Sequence, residues 1–306
     1  MEFTDFGIAT HWGIEIKELN IISERVILLT TNDDKKFILK KKGNTEQIKN
    51  EIELLKHIQS NNLKVHFPLV NNYGEFIFNY KNDNYCIYNY IVGQTFSATE
   101  CVQNPIVPHL FGETIASLHK MMNNEKIASN FSRKDLYNTV YGWAVNKVLN
   151  VYANQQLKDI FKNLEEELKA IIEGLPKQLI HRDAHISNII YKDCQLAGVI
   201  DFEIVEVNVR IFDPCYCSTS ILSEIFSDET LRDNWFDFVG ILFAEYNKIN
   251  DLKEVEAKSI WHIMLSIQTI FMAYFASNPK IFEINKAMFM WIYENKTKIE
   301  NKLTLK

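Results

Sequence analysis

The chain has 306 residues, 47% of them apolar and 24% charged, with a formal net charge of −6. This length buries a sizeable core in one large domain or two, and the composition is that of an ordinary globular chain. The acidic balance argues against a nucleic-acid-binding surface, so no nucleic-acid partner is expected.

The N-terminal stretch MEFTDFGIATHWG has neither a basic segment nor an apolar one, so no signal peptide is expected. Strand patterns follow at 21–31 (IISERVILLTT), 36–40 (KFILK), 75–80 (EFIFNY) and 85–91 (YCIYNYI). TNDDK between the first two and KNDN between the last two have the composition of tight turns, which predicts two hairpins. A helix interrupts them. Asn44 is placed to cap it, Gln47 to close a capping box, and Ile48, Ile52, Leu55 and Ile58 hold the helical spacing. GQTFSATECVQNPIVP then reads as a linker carrying Gly93, Pro105 and Pro108. Beyond it helical patterns dominate, at 109–122, 134–151, 155–173, 218–226, 231–247, 252–276 and 283–302.

The apolar run 260–276 is broken by His262, Ser266, Gln268 and Thr269 and is short for a bilayer span, so a buried helix is expected and no membrane partner. Trp235, Trp261 and Trp291 sit at helical spacing among apolar residues and read as core. The five cysteines are odd in number and contain no CxxC pair. Reduced thiols in a cytoplasmic protein are the expectation.

One stretch departs from the helical texture: LIHRDAHISNIIYKDCQLAGVIDFE, 179–203. A strand at 189–191, a turn at 192–195 and a returning strand at 196–200 would bring Asp201 back beside Asn188. A carboxylate and an amide oxygen are hard ligands suited to Mg²⁺, which takes the rest of its shell from phosphates and water. Asp183 is then a free carboxylate beside the metal, able to orient or deprotonate an attacking hydroxyl. Phosphoryl transfer asks for little more than such positioning.

HxDxxxxN followed by a spaced DF resembles the catalytic core of the aminoglycoside phosphotransferase family. That group takes in choline kinase and homoserine-kinase-like enzymes and shares its fold with protein kinases. LFGETIASLHKM at 110–121 is similar to the family's first large-lobe helix, YNYIVGQTF at 88–96 to its hinge, and RIFDPCY at 210–216 to the segment after the metal aspartate. The resemblance implies an α+β, two-lobed protein-kinase-like fold. Its small β-rich nucleotide-binding lobe would span 1–91, and its large, mainly helical catalytic and substrate-binding lobe 92–306.

The implied activity is transfer of the γ-phosphate of ATP, with Mg²⁺, to a hydroxyl of a small molecule. By the same resemblance Asp183 is the catalytic base, Asn188 and Asp201 are the magnesium ligands, and Lys40 of FILK meets the nucleotide phosphates. Glu51 is expected to pair with Lys40, with Glu53 as the fallback. The backbone of Asn89, Tyr90 and Ile91 would meet the adenine, and His185 would approach the transferred phosphate. His181 is expected to pack and bond the loop backbone, and Asp213 to be a buried structural acceptor.

The sequence also departs from the family. The turn near NIISERV has no glycine, so a glycine-rich phosphate cradle is absent or replaced, with Ser23 as the candidate replacement. The metal motif is DFE rather than DFG and no APE follows, which counts against a regulated activation segment. A nucleotide-binding scaffold without catalysis and an atypical protein kinase are the alternative readings. The excess of acid lies after residue 92, with Glu203, Glu206, Glu224 and Asp228 close behind the metal motif, and suits an amine-bearing acceptor.

Overall fold

Residues alternating between two apolar faces build the first part of the chain. The computed structural model describes residues 7–303. A short helix α1 (Gly7–Thr10) precedes strands β1 (Ile16–Ser23), β2 (Val26–Thr31) and β3 (Lys36–Lys42). Helix α2 (Thr45–Ser60), β4 (Phe78–Tyr80) and β5 (Asp83–Asn89) follow. The five strands form one antiparallel sheet in the order β1-β2-β3-β5-β4. Ile27, Leu29, Leu39, Tyr85 and Ile87 point to one face and pack with Ile8, Trp12 and Ile14. Cys86 and Tyr88 point to the other, where Ile48 and Ile52 of α2 cover them.

The expected strand 21–31 is two strands, because the chain reverses at Glu24–Arg25 and Ser23 pairs with Val26. The KNDN hairpin forms with Lys81 and Asn82 both at positive φ, as a tight two-residue turn requires. The Asn44 side chain caps α2 by accepting from Glu46 N at 2.8 Å, so the cap closes on the second helical residue rather than in a box with Gln47.

The rest of the chain is mainly helical, with α3 (Ala98–Gln103), α4 (Val107–Met122), α5 (Glu125–Ala128), a π-helical stretch Asn138–Ala144, α6 (Val145–Val151) and α7 (Gln155–Gly174). Strand β6 (Lys177–Ile180), a single 3₁₀ turn Ile186–Asn188, and strands β7 (Ile189–Lys192), β8 (Gln195–Val199) and β9 (Glu206–Val209) interrupt the helices. Then come α8 (Phe212–Ile225), α9 (Glu229–Ile249), α10 (Glu254–Tyr274), α11 (Pro279–Glu294) and α12 (Lys296–Lys302). The expected linker holds a helix, α3, started by a capping box between Ser97 and Glu100. Helix α10 is buried almost all round, and its Ser266 and Thr269 hydroxyls donate to backbone carbonyls one turn back. Among the described residues no helix is long and apolar enough to cross a membrane. Trp235 and Trp261 are buried, their indole N–H groups donating to the Ser218 and Ile292 carbonyls.

The fold is two-lobed, a small β-rich lobe and a large, mainly helical one. One compact unit comprises Met1–Gln94 with Ile190–Glu203, the other Thr95–Ile189 with Ile204–Lys306. The β7–β8 hairpin turns through Asp193 and Cys194, both at positive φ. Its residues join the first unit through backbone bonds: Gln94 and Tyr191 exchange a pair, His66 N donates to Val199 O, and Val199 N to Lys64 O.

In the second unit β6 pairs antiparallel with β9, and the turn that leaves β6 is fixed by one carboxylate. Asp213 is fully buried. Its Oδ2 accepts from His181 N at 2.8 Å and lies 2.9 Å from His119 Nε2, while Oδ1 accepts from Arg182 N at 2.9 Å. Arg182 is held at φ 74, a strained region for a residue with a side chain. Its guanidinium lies over the Phe212 ring and pairs with Glu206 at 2.8 Å. Burial acts to raise the Asp213 carboxyl, but the hydrogen bond and charge of His119, with support from His181, outweigh it and hold the group below the usual carboxylate range.

Two predictions follow from these contacts. A Cβ on Gly112 would meet the Leu242 carbonyl oxygen at 2.5 Å and Glu245 Cβ at 2.8 Å, so Gly112→Ala must push α4 off α9. It should cost about 1–3 kcal/mol in urea unfolding. Asp213→Asn should lower unfolding free energy at pH 7 by roughly 3 kcal/mol, as charged hydrogen bonds to buried donors are lost. Because the folded carboxyl lies below its unfolded value of about 3.9, this contribution is complete above that pH and is lost as pH falls through the folded value. The gap between parent and variant should therefore be widest above about pH 4 and close in acid.

Candidate functional site

Strand β3 carries alternate lysines onto one face of the sheet. Lys40 and Lys42 are both buried, and Lys41 between them reaches Asp83 on the other side. Lys42 Nζ lies 3.0 and 2.8 Å from the two oxygens of Glu51 in α2 and 3.2 Å from Glu203 Oε1. Burial opposes the charge on Lys42, but Glu51 and then Glu203 outweigh it and raise its pKa. The ring of His66 borders this cluster, with Nε2 3.9 Å from Glu51 and its face stacked on Tyr88.

The expected pairing of Glu51 with Lys40 is therefore corrected. Glu51 takes Lys42, two residues along the same strand face, because Lys42 is deeper and its ammonium reaches both carboxylate oxygens. Lys40 Nζ instead lies 3.3 Å from Asp201 Oδ1. Asp201 sits at φ 69 just beyond β8, with its side chain 39% exposed, so the carboxylate stays open to a ligand. At the β1–β2 turn the Ser23 hydroxyl accepts from Arg25 N at 3.3 Å. Asn89, Tyr90 and Ile91 leave the end of β5, where Tyr90 N donates to Lys36 O at 3.3 Å.

The second unit holds the loop after β6. Asp183 N donates to His181 Nδ1 at 3.3 Å, so His181 bonds the loop backbone. Asn188 Nδ2 donates to the Asp183 carbonyl at 3.0 Å and to its Oδ2 at 2.8 Å. The remaining carboxylate oxygen of Asp183, Oδ1, accepts from the Tyr216 hydroxyl at 2.9 Å. Burial, followed by the charge of Asp183, pushes the Tyr216 phenol up, so this hydroxyl keeps its proton and remains a donor. His185 caps the 3₁₀ turn by accepting from Ser187 N at 3.1 Å, and its Nε2 lies 3.8 Å from Glu224.

Sequence reasoning had not singled out Tyr216, Lys42, Arg25 or His119. A usable signal existed for Tyr216: it lies three residues after Asp213 in α8, hence on the same helix face. Lys42 was legible from the period of two along β3. Nothing local marks His119 or Arg25, whose carboxylate partners, Asp213 and Glu203, lie far along the chain.

Among the described residues no group of three or more His, Cys, Asp or Glu is placed to hold a metal ion. The donor chemistry nonetheless suits Mg²⁺, which asks the protein for only one or two oxygens. With the Asn188 amide nitrogen committed to Asp183, its carbonyl oxygen is the atom left for a cation. Asp201, in the other unit, is a part-exposed carboxylate of the same hard-oxygen type.

A family model described as "Phosphotransferase enzyme family" matches residues 15–246. The homoserine kinase of Zymomonas mobilis subsp. mobilis is 23% identical over 203 residues, covering 65% of this chain and 62% of that protein. The chain thus spans about three-fifths of that relative's length. Two solved structures share the fold. The aminoglycoside phosphotransferase from Alicyclobacillus acidocaldarius subsp. acidocaldarius superposes with a TM-score of 0.71 at 14% identity, over 96% of this chain and 93% of that one. A microcompartment-associated aminopropanol kinase superposes with a TM-score of 0.69 at 15% identity, over 98% and 100%. With the family model spanning well over half of its length, the chain belongs to the phosphotransferase enzyme family.

Proposed function

We propose that the protein is an ATP-dependent O-phosphotransferase acting on a hydroxyl of a small molecule. The observation that carries this reading is the geometry of Asp183, whose two carboxylate oxygens are fixed by Asn188 and Tyr216. A side chain held in that way can orient an acceptor hydroxyl and take its proton as the oxygen attacks phosphorus. Asn188 and Asp201 are the proposed magnesium ligands. The ion, when bound, would neutralise phosphate charge.

Lys40 keeps its proposed role on the nucleotide phosphates. Its side chain is 9% exposed and meets Asp201, whereas Lys42 is 1% exposed and locked to Glu51 and Glu203. Glu51 then acts on the nucleotide side through Lys42, by fixing the strand that bears Lys40. Ser23 and the main chain of Asn89, Tyr90 and Ile91 complete the proposed nucleotide contacts. His185 is proposed to approach the transferred phosphate. The acceptor is proposed to be amine-bearing, of the kind named in the aminoglycoside phosphotransferase and aminopropanol kinase structures. The acidic side chain that favours this is Glu224, half-exposed beside His185.

Two variants separate the roles. Asp183→Ala should cut turnover by at least 100-fold, the usual scale of general-base catalysis, while calorimetric Mg-ATP affinity stays within a few-fold of the parent. Asp201→Ala should weaken Mg-ATP binding itself, with the loss growing as Mg²⁺ is raised. ADP release measured across a panel of hydroxylated amines would identify the acceptor. Parent-rate transfer by both variants would remove the assignment.

A further inference from the structure

The β1–β2 turn lacks glycines, but it carries Arg25. The ladder sets this residue beside β3: Lys41 N donates to Arg25 O at 2.8 Å, and Val26 is the partner of Lys40. The Arg25 side chain is 51% exposed and anchored twice. Its Nε donates to the Lys41 carbonyl at 3.2 Å and its Nη2 to Glu203 Oε2 at 2.7 Å. The other Glu203 oxygen faces Lys42 at 3.2 Å. Arg25, Lys40 and Lys42 therefore interleave with Glu51, Asp201 and Glu203, three cations with three carboxylates.

We propose that Glu203 is a placeholder for nucleotide phosphate, and that Arg25 leaves it to grip a phosphate of ATP. One arginine would then stand in for the glycine-rich cradle that this turn cannot form. The inference rests on the phosphotransfer reading above. A guanidinium suits the task because its planar fork matches phosphate oxygens in a two-point contact. The exchange is cheap because an exposed ion pair contributes little. Glu203 is not stranded either, since Lys42 remains beside it. Lys42 is unsuited to the exchange, being buried and held by Glu51 with or without Glu203.

Calorimetric titration with Mg-ATP and with adenosine tests this. Arg25→Gln should lower Mg-ATP affinity roughly tenfold or more, the scale of one charged hydrogen-bonding contact, and leave adenosine affinity unchanged. Unchanged adenosine binding also reports that the variant is folded. Arg25→Lys should fall between the two. Glu203→Gln should have the opposite sign: Mg-ATP affinity holds or rises because the competing carboxylate is gone, while the thermal midpoint without ligand falls. A merely structural ion pair would move both midpoints and neither phosphate-dependent affinity. The inference is overturned by unchanged Mg-ATP affinity in Arg25→Gln, by equal losses for ATP and adenosine, or by a Glu203→Gln loss matching that of Arg25→Gln. If the unaltered protein binds no Mg-ATP, the phosphotransfer reading goes first and this one with it.

Discussion

The buried carboxylate of Asp213 is the constraint on which the loop after β6 depends. A charge with no solvent must be matched by donors, or the site collapses or the group neutralises. Here the donors are two successive backbone N–H groups, of His181 and Arg182, together with the His119 ring. Two adjacent amides can face one carboxylate only if the chain bends sharply between them. Arg182 accordingly sits at positive φ, and the strain is offset by the Glu206 pair and the Phe212 ring face. The next residue is Asp183. Its position is thus set by a carboxylate thirty residues later and a histidine some sixty residues earlier, before any ligand arrives.

The first unit solves a different problem with the same physics. Strand β3 offers two ammonium groups on one buried face, and each needs an anion. Helix α2 supplies Glu51 and the segment after β8 supplies Asp201 and Glu203. The outcome is settled by depth. The deeper lysine takes two carboxylates and becomes structural, while the shallower one meets a half-open aspartate at longer range. Depth, not residue type, is what gives the two lysines different partners.

Much of this was legible in the sequence, and the limits have physical causes. The β2–β3 and β4–β5 turns, the β7–β8 hairpin and the long helices announced themselves through turn chemistry and period. The β1–β2 reversal was marked only by the family resemblance, which puts a turn near NIISERV; Ser-Glu-Arg carries no Gly, Pro, Asn or Asp, and its apolar flanks read as one strand. Helix α3 was hidden by its proline-rich neighbourhood, although its Ser97/Glu100 capping box is a local signal that was there to use. Asp183, Asn188 and Asp201 stood out through spacing. The choice between Lys40 and Lys42 as the partner of Glu51 could not be made from spacing, since both share one parity along β3. It depends on helix position, which is a tertiary quantity. Tyr216 was missed for a related reason: a tyrosine among apolar residues reads as core until its hydroxyl partner is known.

The bond from Tyr216 bears on the chemistry open to Asp183. A carboxylate has about four lone-pair directions. Asn188 and Tyr216 each take one, on different oxygens, which fixes the plane of the group and leaves directions on both oxygens for a further donor. A donor that reaches this carboxylate meets a group already aligned, because its orientation is settled in folding. Tyr216 is itself stacked on Phe271 at 5.9 Å, and Phe271 on Phe275 at 6.2 Å, which steadies the phenol that donates to Asp183. The His185 ring neighbours the same tyrosine, 6.3 Å between centroids, with Glu224 3.8 Å from its Nε2.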